Sequence, residues 1–153
     1  MREILFRGKR LDNGEWVSSG NIIRFEPEEG KALVFIPAMH ERCVCAHDDN
    51  DNITAFETGM FYKVDPDTVG QYTGLTDKNG KRIFEGDIMV FCKGATYPYK
   101  ITWDGIGWKL IRSDGKRIKE AFECNEIRYA NISEVIGNIH DNPELLKGDN
   151  TNG

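Results

Sequence analysis

Short triplets ending in glycine divide this chain at close intervals: Asp12-Asn13-Gly14, Glu28-Glu29-Gly30, Lys78-Asn79-Gly80, Trp103-Asp104-Gly105 and Ser113-Asp114-Gly115. Each lies between apolar or alternating segments. Glycine reaches positive φ without steric penalty, and Asn or Asp before it favours the same reversal. Reversals at this spacing leave room for short strands but not for long helices, so the pattern predicts antiparallel β-structure. At the first triplet, a tight primed turn over Asn13 and Gly14 is expected to pair residues 4–11 with residues 15–23.

Alternation of period two is clearest over residues 97–103. Tyr97, Tyr99, Ile101 and Trp103 share one face, with Pro98, Lys100 and Thr102 on the other. Trp108 and Leu110 share a face in the next segment. Further strands are expected at 32–37, 42–46, 53–64, 69–75, 82–91 and 134–140. Helix is expected only as short pieces after residue 115. One is a turn or two within 118–127. The other is a single turn at Asn142-Pro143-Glu144-Leu145-Leu146, with Asn142 as N-cap and Pro143 at the first helical position. Asp65-Pro66-Asp67 marks the junction between an N-terminal β-hairpin region, 1–66, and a C-terminal region, 67–147. Pro66 holds Asp65 extended and interrupts pairing there. Residues 148–153 are polar and small and read as a disordered tail.

With 39% hydrophobic and 29% charged residues, the chain is globular in type, rich in glycine and poor in alanine. Its net charge of −5 lacks the basic excess by which duplex nucleic-acid binders release counterions from phosphates. The charge is uneven, however. Residues 1–66 hold eight Lys and Arg against twelve Asp and Glu, whereas residues 109–119 carry five basic side chains and one acidic. Neither a signal peptide nor a run of apolar residues long enough for a membrane span is apparent, which implies the cytoplasm and reduced cysteines.

Three stretches carry a further signal. The first is Ile4-Leu-Phe-Arg-Gly-Lys-Arg with Asn13-Gly-Glu-Trp-Val17. The second is Val69-Gly-Gln-Tyr-Thr-Gly-Leu, Asp77-Lys-Asn-Gly-Lys and Ile83-Phe-Glu-Gly-Asp-Ile88. The third is Val135-Ile-Gly-Asn-Ile-His-Asp-Asn-Pro-Glu-Leu-Leu146. Together they resemble the YopX family, small proteins encoded largely by phages and prophages, with no assigned biochemical role. His140 departs from the Tyr expected in relatives, and residues 24–62 show no match. The resemblance implies an all-β, mainly antiparallel protein: N-terminal strands and hairpins, then an SH3-like small β-barrel, with only short helical turns. The strand pattern agrees with four barrel strands at 82–91, 97–103, 106–112 and 134–140. Core candidates are Ile88, Val90, Trp103, Leu110, Val135 and Ile139.

Residues that suggest chemistry have simpler readings. His40, Cys43, Cys45 and His47 look like metal ligands, but structural zinc sites favour cysteines with two to four residues between them, and here there is only Val44. Cys43 and Cys45 alternate about Val44, as small core side chains of a strand would. The acidic run 48–52 fails the EF-hand pattern, with Ile53 and Gly59 where Gly and Glu are needed. It reads as a solvated hairpin tip. Glu85 and Asp87 could pair for acid–base work, but no histidine or nucleophile is near in sequence, and Asp87 is placed to bond its own turn. His140 stands alone. With no nucleotide-binding loop or hydrolase motif either, the chain reads as a non-enzyme without cofactor or metal.

One stretch hints at ligand binding. Tyr97, Tyr99, Trp103 and Trp108 lie beside Lys109, Arg112, Lys116 and Arg117, and aromatics among basic residues can stack bases. The competing reading, an aromatic barrel core, is preferred. Two or more of these rings exposed beside Lys109 and Arg112 would favour binding. The sequence therefore points to a phage or prophage accessory protein acting as a protein-interaction module. It is expected to associate with itself, because a strand with Leu33 and Phe35 on one face and Val34 and Ile36 on the other wants cover on both sides. A host or phage protein is the other expected partner. The alternative is a nucleic-acid-binding small barrel.

Overall fold

The computed structural model describes residues 3–26, 30–37, 45–47, 53–56, 61–91, 98–112, 130 and 132–147. Among these residues it is all-β: strands paired antiparallel, with helix limited to 3-10 turns of three and four residues and to the single position Ala130. The chain packs as two units, Glu3–Val69 and a second that runs from Gly70.

In the first unit, β1 (Phe6–Lys9) pairs with β2 (Trp16–Ser19), Phe6 opposite Ser19 and Lys9 opposite Trp16. The reversal is wider than the tight turn expected. The Arg10 N–H donates to the Glu15 carbonyl at 2.9 Å, and the Gly14 N–H donates back to Arg10 at 3.1 Å. Residues 11–14 thus form a four-residue loop, with Gly14 at φ 74°. Asn13 braces it, accepting from the Glu15 N–H at 3.0 Å and donating to the Glu15 carboxylate at 2.8 Å. The Arg10 guanidinium on Asp12 holds that exposed carboxyl below its ordinary pKa.

A three-stranded sheet follows, ordered β3 (Ile23–Phe25), β4 (Leu33–Pro37), β7 (Phe61–Val64), and β5 (Cys45–His47) pairs with β6 (Ile53–Phe56). Val34, Ile36 and Val64 are buried together, with Val17, Ile22 and Val69 packed against them. β1 lies close upon this core: a Cβ on Gly8 would fall 2.9 Å from Val64 Cγ2. Asp65-Pro66-Asp67 is more than a break in pairing. Asp65 is extended, as expected before proline, but it then caps a 3-10 turn over Pro66–Thr68, accepting from the Asp67 N–H at 3.1 Å. Helical backbone therefore also occurs before residue 115, because an Asp side chain ahead of proline is a good cap as well as a good stop. Thr68 ties the turn to β1 by accepting from the Lys9 N–H at 2.9 Å.

The second unit opens with the hairpin of β8 (Gly70–Thr76) and β9 (Arg82–Phe84), which reverses over Lys78-Asn79-Gly80 as expected, with Gly80 at φ 79°. A four-stranded antiparallel sheet follows, ordered β12 (Trp108–Arg112), β11 (Tyr99–Trp103), β10 (Asp87–Phe91), β13 (Ser133–Asn138), and curved as half a barrel. The expected strand over 82–91 is two strands, split by a turn at Glu85 and Gly86 (φ 81°). Ile83, Met89, Ile101, Trp108, Leu110 and Val135 form the core.

Three core assignments need correction. Ile88, Leu110 and Val135 are buried, but Val90 and Ile139 are only half-buried, and Trp103 is 47% exposed. Trp103 and Trp108 are cross-strand partners on one face, ring centroids 5.1 Å apart and planes inclined at 67°. Trp108, 6% exposed, takes the inner place. Trp103, the last residue of its strand, is left outside at the hairpin end with its ring against that of Trp108. Asn142 also departs from expectation. Pro143–Leu146 is a 3-10 turn, but the Asn142 side chain makes no capping bond; it fills the space above Gly137, where a Cβ would meet its Oδ1 at 2.5 Å.

Candidate functional site

Of the basic residues of β12, Arg112 shares the face of the β11 and β12 aromatics and Lys109 does not. Tyr99 is opposite Arg112 and Ile101 opposite Leu110, so these side chains and Trp108 share a face. Lys109, opposite Thr102, is on the other. Tyr99 is half-buried against Phe91, centroids 4.8 Å apart, and the Trp108 ring lies in the core. A base could not stack on Trp108 without displacing that core. Lys109 Nζ is 4.0 Å from Asp104 Oδ2, which offsets its charge. Tyr97, Lys116 and Arg117 lie outside the described residues. Among those described, Trp103 is the one exposed ring of this group.

The carboxylates of the second unit are built into its backbone. Asp87, 1% exposed, accepts from the Phe84 N–H at 2.8 Å and so closes its own turn. Glu85 accepts from the Trp103 N–H at 3.4 Å. The fold brings in a histidine that sequence spacing could not reveal: a Cβ on Gly86 would lie 3.9 Å from His140 Nε2. Asp77 lies in the stretch that carries the family resemblance but has no role in the sequence reading, and in the structure it accepts three backbone N–H groups. Its Oδ1 accepts from the N–H groups of Asn79 at 2.8 Å and Lys81 at 2.9 Å, and its Oδ2 from that of Val135 at 3.1 Å. Burial pushes its pKa up, but these three donors and the nearby Lys81 charge outweigh it and hold the pKa below the ordinary carboxylate value. Asp77 therefore ties the β8–β9 turn to β13.

Of the histidine and cysteine group, Cys45 and His47 lie on β5, and His40 and Cys43 fall outside the described residues, as does the acidic run 48–52. Among the described residues no three His, Cys, Asp or Glu side chains gather as a metal site. A hollow of about 10 Å³ beside Trp108, Met89 and Leu110 has room for no more than a water molecule.

The surface most suited to binding is on the first unit. In β3 and β4, Ile23 is opposite Phe35 and Phe25 opposite Leu33. These four side chains share the face directed away from Val34 and Ile36. Phe25 is 57% exposed and Leu33 36%, and the Phe25 and Phe35 rings meet edge to face at 6.0 Å. The apolar character of both faces was legible in the sequence; which face is covered was not.

The family model described as YopX protein matches residues 5–147, and the chain belongs to that family. Its fold is similar to that of protein EF1440 from Enterococcus faecalis, known from a crystal structure, with a TM-score of 0.53 and 22% identity over 94% of this chain and 97% of that one. No protein with a curated description matches the chain. Among the described residues no helix is long and apolar enough to cross a membrane.

Proposed function

We propose that this is a non-enzymatic accessory protein of a phage or prophage, acting in the host cytoplasm as a protein-interaction module that associates with itself. The observation that carries this reading is the apolar outer face of the β3–β4 pair. Contiguous exposed apolar side chains are a feature of protein–protein contact sites, and aromatic rings are enriched there. Light scattering on a size-exclusion column tests it. At tens of micromolar the expected mass is a multiple of the 17.4 kDa chain; a mass near one chain overturns self-association.

The alternative, a nucleic-acid-binding barrel, has the exposed ring of Trp103 in its favour. Against it stand the inward Trp108 ring, the opposite orientation of Lys109 and the net negative charge. Gel shifts with single- and double-stranded DNA and RNA are expected to show no complex even at low salt, where phosphate contacts are strongest. Retardation that weakens with added salt would establish the barrel reading instead.

A further inference from the structure

We propose that β3 is the seam at which a second copy of this chain docks, antiparallel and about a twofold axis through Phe25. This deepens the self-association reading and rests on it. β3 is the outermost strand of its sheet, and among the described residues no strand pairs with its free side. Unpaired strand edges invite another strand unless bulges, charges, short length or cover prevent it; β3 has three residues, and the charge it carries, Arg24, is one that a copy can meet in the right register.

The register follows from side-chain direction and charge. In an antiparallel pair, directly opposed residues point to the same face. A strand paired with its own copy must therefore have the axis at a residue rather than between two. An axis at Ile23 leaves Arg24 opposite Ile22 of the copy, with no charge to meet, and an axis at Arg24 sets its guanidinium against that of the copy. An axis at Glu26 does the same with carboxylates. An axis at Phe25 sets Arg24 opposite Glu26 of the copy, twice, and Phe25 opposite itself. Within one chain Arg24 and Glu26 already approach each other at 2.6 Å, but their side chains are 60% and 70% exposed. An ion pair so exposed contributes little and exchanges partner readily. Pairing in this register also covers Phe25 with its counterpart and joins the two outer faces into one apolar surface of Ile23, Phe25, Leu33 and Phe35 from each copy.

The test uses charge reversal on the full chain, with light scattering as readout and circular dichroism to verify that each variant is folded. In Arg24→Glu the seam is acidic on both sides, and in Glu26→Arg it is basic on both. Each variant alone is expected to show half the parent's assembly mass or less. Mixed one to one they restore opposite charges at both contacts, and the parent's mass is expected to return. If the parent is itself one chain in mass, self-association fails and the seam with it. If the parent assembles and both variants assemble equally well, self-association stands and the seam is overturned. Loss in both variants without recovery on mixing overturns the register. Phe25→Cys gives a second readout on the axis: mild oxidation is expected to yield a covalent dimer absent from the parent, whose own four cysteines serve as the control. Failure to form it overturns the axis at Phe25.

Discussion

Asp77→Ala is expected to lower the stability of the protein by about 3–5 kcal/mol. The side chain is 4% exposed and accepts three backbone N–H groups. A bond to a charged acceptor is worth about 1.5–3 kcal/mol, and each buried donor left without a partner costs about 1–3 kcal/mol. Water reaching the exposed side of the turn recovers part of this, which sets the range. Against a typical total of about 5–15 kcal/mol, such a loss leaves little margin. The same site carries a pH signature. The Asp77 pKa is depressed in the folded state, so its contribution is fully present above the unfolded value of about 3.9 and is lost as pH falls through the folded value. Asp77→Asn, which keeps the shape but turns an amide N–H₂ toward a backbone donor, should lower stability at neutral pH and flatten the loss below about pH 4. Urea unfolding at a series of pH values measures both effects. A neutral-pH midpoint equal to the parent's would show that the turn and β13 are held by other contacts.

The two cross-strand tryptophans should respond in opposite measure. Trp108→Ala removes a ring that is 6% exposed at the centre of the second unit's core and is expected to cost about 3–5 kcal/mol. Trp103→Ala removes one edge-to-face contact from a ring 47% exposed and should cost about 1 kcal/mol. Trp108→Phe is informative too, since the Trp108 Nε1–H has no hydrogen-bond partner among the described residues. Replacing it with a ring lacking that donor should cost far less than the alanine change. Chemical denaturation of the three variants ranks them. Equal losses for Trp103→Ala and Trp108→Ala would mean that both rings are core.

The turns were legible because few residue types accept their backbone: Gly14, Gly80 and Gly105 all stand at positive φ where the triplets placed reversals. Strand faces were legible from alternation, as the sharing of one face by Tyr99, Ile101 and Trp103 shows. Depth was not, because alternation does not say which of two facing side chains takes the inner place. Trp103 and Trp108 share a face at one level of the sheet, yet only Trp108 is buried. The role of Asp77 was hidden for a different reason. Two of its donors are local, but Val135 lies 58 residues away, and no spacing rule reaches that far. The 3-10 turn at Pro66 was hidden by ambiguity, because Asp-Pro serves to stop one element and to begin another.

The span of the Asp77 contacts bears on the order in which the second unit assembles. The bonds from Asn79 and Lys81 close a loop of a few residues and can form while the rest of the chain is still unfolded. The bond from Val135 requires a loop more than ten times longer, whose entropy is recovered only when β13 docks on β10. One carboxylate thus serves an early local step and a late nonlocal one. A hairpin already closed around Asp77 presents its remaining oxygen to the arriving strand, so that β13 meets a formed acceptor.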